Sequence, residues 1–146
     1  MNPKVYRKLS LLASSFHNEI INLNDLIMGN ITGIGGIFFR ARNPKELSKW
    51  YEDNLGVAIP PKTYDHKPWH QEAGPTIFAP MNADSPHFKA DAQLSINFRV
   101  NDLHSFCKSL EDAGIKVTVD PQEYPNGRFA SLEDPEGNQI QLWEPV

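Results

Sequence analysis

The stretch QIQLW (139–143) alternates Gln139, Gln141 and Trp143 with Ile140 and Leu142. A period of two is that of a strand with one apolar face and one face free to carry chemistry. The same alternation sorts two earlier stretches. Phe38 and Arg40 fall opposite Ile37 and Phe39, while Ser95, Asn97 and Arg99 fall opposite Leu94, Ile96, Phe98 and Val100. The polar set holds neutral amides that donate and accept, a hydroxyl, flat apolar rings and two guanidinium forks suited to anions. That inventory suits a small organic ligand with an aromatic or apolar body and one anionic or strongly accepting group. A solvated outer sheet face carries the same pattern.

Other residues could add to such a site. Glu123 and Arg128 flank the PNG turn (125–127) and can reach a rim, although charges beside a hairpin turn are usually just solvated. His66, Trp69 and His70 lie in a Pro- and Lys-rich stretch (60–75) where an aromatic residue can serve as a lid, with an exposed loop as the alternative. The two histidines lack a carboxylate at defined spacing, which makes them a weak metal signal. No Ser, His and Asp set stands at a spacing that supports hydrolysis, and GIGG (33–36) enters a strand rather than a helix N-terminus, which argues against a phosphate loop. Cys107, the single cysteine, sits in a helical pattern with Leu103, Phe106 and Leu110 and reads as a small apolar packing group.

The elements that must position these residues are repeated. IFFRARNPKELSKWYED (37–53) set against INFRVNDLHSFCKSLED (96–112) matches Ile37 with Ile96, Phe39 with Phe98, Arg40 with Arg99, Lys49 with Lys108 and Glu52-Asp53 with Glu111-Asp112. Each half reads as a strand followed by a helix. Asn43 is the expected N-cap of the first helix, with Pro44 at its first position, Glu46 placed for a capping box and Gly56 at its end. Asp102 caps the second helix, and Gly114 ends it. Further strands are expected at Val57–Ile59 and Thr76–Ala79 in the first half, and at Val117–Val119, Phe129–Leu132 and Gln139–Trp143 in the second. Residues 80 to 93 have the composition of a linker between modules spanning about 31–80 and 93–146. Residues 1 to 27 show helical spacing (Val5, Leu9, Leu12, Ala13, Phe16, Ile20) and read as an amphipathic extension of a domain at 28–146.

Composition narrows the partners. A net charge of -4 with Lys and Arg scattered among acids offers no basic stripe for nucleic acid. No apolar run approaches the roughly 20 residues of a membrane span, and the first residues lack a signal-peptide core, so a cytosolic protein is expected.

The duplicated strand-helix-strand-strand-strand unit, with KWYEDNLG closing the first helix and LEDPEGNQIQLWEP near the chain end, resembles the glyoxalase, bleomycin-resistance and extradiol-dioxygenase superfamily, the vicinal oxygen chelate fold. The resemblance covers residues 31 to 145. It implies an α+β fold of two βαβββ modules curling a mixed sheet into a cup, with the N-terminal helix as an addition, and a homodimer. Family metal ligands come from the first and last strands of each module. Mapped by motif, those positions are Gly36, Ser95, Gln141 and Phe78. Two of them have no side-chain donor and the others are neutral, whereas such metals want imidazole or carboxylate at about 2.0 to 2.2 Å. The resemblance therefore implies a cup without metal or other cofactor that sequesters or modifies a small molecule. The competing readings are a lyase or dioxygenase with displaced metal ligands and a scaffold that binds a partner through its N-terminal helix.

Overall fold

A computed structural model describes residues 30 to 146, so the helix expected over residues 1 to 27 lies outside the described residues. The chain divides into two units between Phe39 and Arg40. Residues 30 to 39, the described part of the first, carry neither helix nor strand and are exposed throughout.

In the second unit, helix α1 spans Pro44–Leu55 and starts where expected, with Asn43 accepting from the Glu46 N–H. Its end is a glycine for a steric reason: Gly56 sits at φ 67, a left-handed conformation that side chains resist. The capping-box partner differs from the sequence expectation. The N–H groups of Arg42 and Asn43 donate to the Glu136 carboxylate at 2.7 and 2.8 Å, so a residue distant in sequence does what Glu46 was expected to do. Strand β1 (Ile96–Arg99) leads into helix α2 (Leu103–Asp112), capped by Asp102 through the Ser105 N–H. Strands β2 (Val117–Val119), β3 (Arg128–Glu133) and β4 (Gln139–Glu144) complete a four-stranded sheet in the order β1-β4-β3-β2, with β1 parallel to β4 and the other pairs antiparallel.

The period-two pattern sets the core. Ala130, Leu132, Ile140 and Leu142 pack with Leu103, Cys107 and Leu110 of α2 and with Leu47 and Tyr51 of α1; Leu110, Ile140 and Leu142 are fully buried. Burial raises the Cys107 thiol pKa, as does Glu111, which leaves a packing residue rather than a reactive thiolate.

The fold is α+β, as read from the sequence. The repeat shows in its helices, whereas residues 30 to 43 and 57 to 95 carry neither helix nor strand, so the first-half strands expected before Asn43 and at Val57–Ile59 and Thr76–Ala79 do not form. Pro60, Pro61, Pro68, Pro75, Pro80 and Pro86 each remove a ladder donor here, and Thr76–Ala79 is bracketed by two of them. Among the described residues no helix is long and apolar enough to cross a membrane.

Candidate functional site

On the sheet face away from the helices, residues line up in rows fixed by strand register. The middle row runs Asn97, Gln141, Ser131, Thr118 across the four strands. Asn97 Nδ2 donates to Gln141 Oε1 at 2.7 Å, so the two amides are joined. Asn97 is exposed, and Gln141 is half-buried.

The next row is Arg99, Trp143, Phe129. The Phe129 and Trp143 rings are parallel, 4° apart in plane, with centroids at 6.2 Å, and Tyr124 meets Phe129 edge-on at 5.6 Å. Trp143 is 8% exposed and its indole N–H donates to the Asn126 carbonyl at 2.8 Å. The PNG turn therefore closes over the indole, and Phe129 is the ring of the stack that stays half-exposed. Gly127 permits this closure: at φ 130 it lies where an added Cβ would strike the Glu144 carbonyl. Arg99 donates from Nη2 to the Glu72 carbonyl at 2.7 Å, and the Gly74 backbone passes so near the guanidinium that a side chain there would collide with it.

On the other side of the middle row stand Glu133 and Gln139. Lys89 Nζ reaches Glu133 at 2.6 Å and the Gly137 carbonyl at 3.2 Å, while Gln139 Nε2 donates to the His87 carbonyl. Segments 87–89 and 72–74 thus strap the two outer rows and leave the amide row between them accessible.

Two acidic residues hold this sheet to the helix ends. The buried Asp134 carboxylate accepts from the Tyr51 hydroxyl at 3.0 Å, the N–H groups of Glu136 and Asn138, and the Asn138 side chain. Burial first, and the Asp134 charge second, push the Tyr51 pKa far up, so its phenol stays protonated. Glu144 accepts at the N-terminus of α2 from the Leu103 N–H and pairs with Arg128 Nη2 at 2.7 Å. The WY and DPEGN motifs are therefore structural partners.

The sequence-derived candidates separate accordingly. Asn97, Arg99, Gln141 and Trp143 share the polar face, with Ser95 just before β1. Arg128 is engaged with Glu144 and lies beside Glu123 at a shallow recess of about 190 Å³. The Trp69 ring meets Phe98 at 6.3 Å, and Phe98 packs against the core. Arg40 is exposed, and Phe38 belongs to the first unit, where it is 93% exposed. Sequence reading missed Phe129 and Ser131. The DPEG turn carried the signal, because a hairpin closing there sets Ser131 opposite Gln141 and Phe129 opposite Trp143.

Residues 33–142 match the model of the Glyoxalase/Bleomycin resistance protein/Dioxygenase superfamily. The chain belongs to this superfamily. An antibiotic binding protein from Streptomyces sp. CB03234 is similar over 82% of this chain and all of its own, at 23% identity and TM-score 0.55. Lactoylglutathione lyase from Agrobacterium tumefaciens is 18% identical over 80% of this chain and 96% of its own, at TM-score 0.51. Both likenesses show the superfamily's fold. A glyoxalase/bleomycin resistance protein from Streptomyces sp. CB03234 is 34% identical over 36% of this chain and 46% of its own, at TM-score 0.32. No curated protein matches the chain. The superfamily includes metal enzymes; of the positions that the resemblance maps to their ligands, Ser95 is a neutral hydroxyl, the Gln141 carbonyl accepts from Asn97, and Gly36 and Phe78 have no side-chain donor, a set unlike the imidazoles and carboxylates such metals take. Among the described residues no three His, Cys, Asp or Glu side chains are grouped to hold one.

Proposed function

We propose that the chain is a metal-independent member of the superfamily that binds a small organic molecule on the polar face of its sheet, either to sequester it or to modify it. The observation that carries this reading is the Asn97–Gln141 amide pair beside the half-exposed Phe129 ring, a hydrogen-bonding group next to a flat apolar surface. An antibiotic binding protein and a lyase among the similar folds fit either outcome. An aromatic ligand body is favoured over an anionic head, because Arg99 is already engaged by the Glu72 carbonyl and Arg40 is exposed. A thermal-shift screen of small aromatic compounds, with hits confirmed by calorimetry, tests the reading. Hits should weaken roughly tenfold in Phe129→Ala, in keeping with the loss of one aromatic contact, and binding unchanged by that substitution would overturn it. Elemental analysis should find no stoichiometric metal.

The same reading includes a homodimer. Ile77 and Phe78 are 73% and 86% exposed, apolar surface that a second copy would cover. Light scattering should give twice 16.5 kDa, and the single-chain mass at all concentrations would remove this part.

A further inference from the structure

We propose that the ligand's polar edge is a neighbouring donor and acceptor, as in a lactam or a hydroxyl beside a carbonyl on a flat ring, rather than a lone anion. This rests on the binding reading above. Asn97 and Gln141 face each other in register on adjacent strands, and the bond between them uses one amide donor and one amide carbonyl. Asn97 Oδ1 and the Gln141 amino group remain, and neither has a further hydrogen bond among the described residues. Turning both amides over exchanges which residue supplies which group and leaves the kind of offer unchanged: an amino group and a carbonyl on adjacent strands, each without a bond.

A ligand that only accepts, such as a carboxylate, satisfies the amino group and sets its oxygen against the remaining carbonyl. That carbonyl loses water and gains no partner. A donor–acceptor edge satisfies both groups at once. The Lys89 charge is met by Glu133, and Arg99 Nη2 is directed to the Glu72 carbonyl, a neutral acceptor, so the carboxylate probe below reads any pull that the Arg99 charge exerts. Phe129 lies one row away on the strand that carries Ser131, so a flat ring resting on it can bring its edge to the amides.

The test is calorimetry on the full chain with quinolin-2(1H)-one, its N-methyl derivative and naphthalene-2-carboxylate, three probes of similar two-ring size. The lactam should bind roughly tenfold tighter than the N-methyl compound, which cannot donate. Asn97→Leu and Gln141→Leu should each reduce that ratio to about twofold or less while melting cooperatively. Equal binding of lactam and N-methyl compound, carboxylate binding tightest, or a preference that survives both variants overturns the donor–acceptor edge. If the probes nevertheless weaken in Phe129→Ala, the binding reading stands without it. Absence of binding by all three probes overturns both.

Discussion

Residues 96 to 144 and residues 57 to 95 were both expected to supply strands, and only the first stretch does. In the first stretch the DPEG turn returns β4 along β3, and Asp134 and Glu144 fasten that hairpin to Tyr51 and to the N-terminus of α2. In the second, prolines interrupt the ladder donors, and Ile77 and Phe78 lie open. β-rich residues become a strand where a neighbour is held in register; composition alone does not provide one. The candidate site follows the same division: its amide row lies on paired strands, while the unpaired stretch contributes straps at 72–74 and 87–89.

The largest expected effect is therefore in the paired half. Leu142→Ala, at a fully buried position, should cost about 2–5 kcal/mol in denaturant unfolding, whereas Tyr64→Ala, in the exposed unpaired stretch, should stay within about 0.5 kcal/mol. An equal cost at Tyr64 would break the comparison, because it would mean that residues 57 to 95 are held as firmly as the paired strands.

Next in size is the link between the motifs. Asp134→Ala leaves the Tyr51 hydroxyl and the turn N–H groups without their acceptor, and should cost about 1.5–3 kcal/mol, the range for hydrogen bonds to a charged group. Asp134→Asn should cost less, since its carbonyl still accepts. A wild-type melting temperature in Asp134→Ala would show that the DPEGN turn does not hold the paired half together.

Much of this was legible in the sequence, for local reasons. Caps at Asn43 and Asp102 and the apolar face of Ile96, Phe98, Ile140 and Leu142 follow from spacing within one element. What was not legible depends on residues brought together from afar. Glu136 takes the Asn43 N–H from 93 residues away. Arg128 looked like a rim charge because Glu144 is its partner only through β3–β4 register. Trp143 looked open because strand alternation does not show that the PNG turn folds onto it. Phe129 and Ser131 needed one more step, counting back through the DPEG turn.

The pH dependence of stability sharpens the comparison by a smaller amount. Tyr51 has a raised folded-state pKa, so its contribution is fully present below its unfolded value near 10.0 and is lost as pH rises above it. Glu136 is lowered by the Arg42 and Asn43 N–H groups; its contribution is present above the unfolded value of 4.5 and is lost as pH falls toward its folded value. Melting temperatures should therefore fall at both extremes. Glu136→Gln should flatten the acid limb and Tyr51→Phe the alkaline one. If neither limb changes, these groups do not couple helix to turn in solution.

The smallest effect is expected at the residues that make the repeat most visible. Lys49 pairs with Asp53 at 2.8 Å and Lys108 with Asp112 at 3.1 Å, matched positions one turn apart on the two helices. Both pairs are exposed, and lysine precedes the acid, the less favourable order against the helix dipole. Water and salt screen such pairs. Lys49→Ala and Lys108→Ala should each leave the unfolding midpoint unchanged within error, at low and at moderate salt. A loss at Lys108 but not at Lys49 would show that the helix beside the formed sheet uses its surface charge where the other does not, and would extend the contrast between the halves from strands to helices. A loss at both would mean that the matched charges are part of what holds the domain, and that the repeat has an energetic role beyond its visibility.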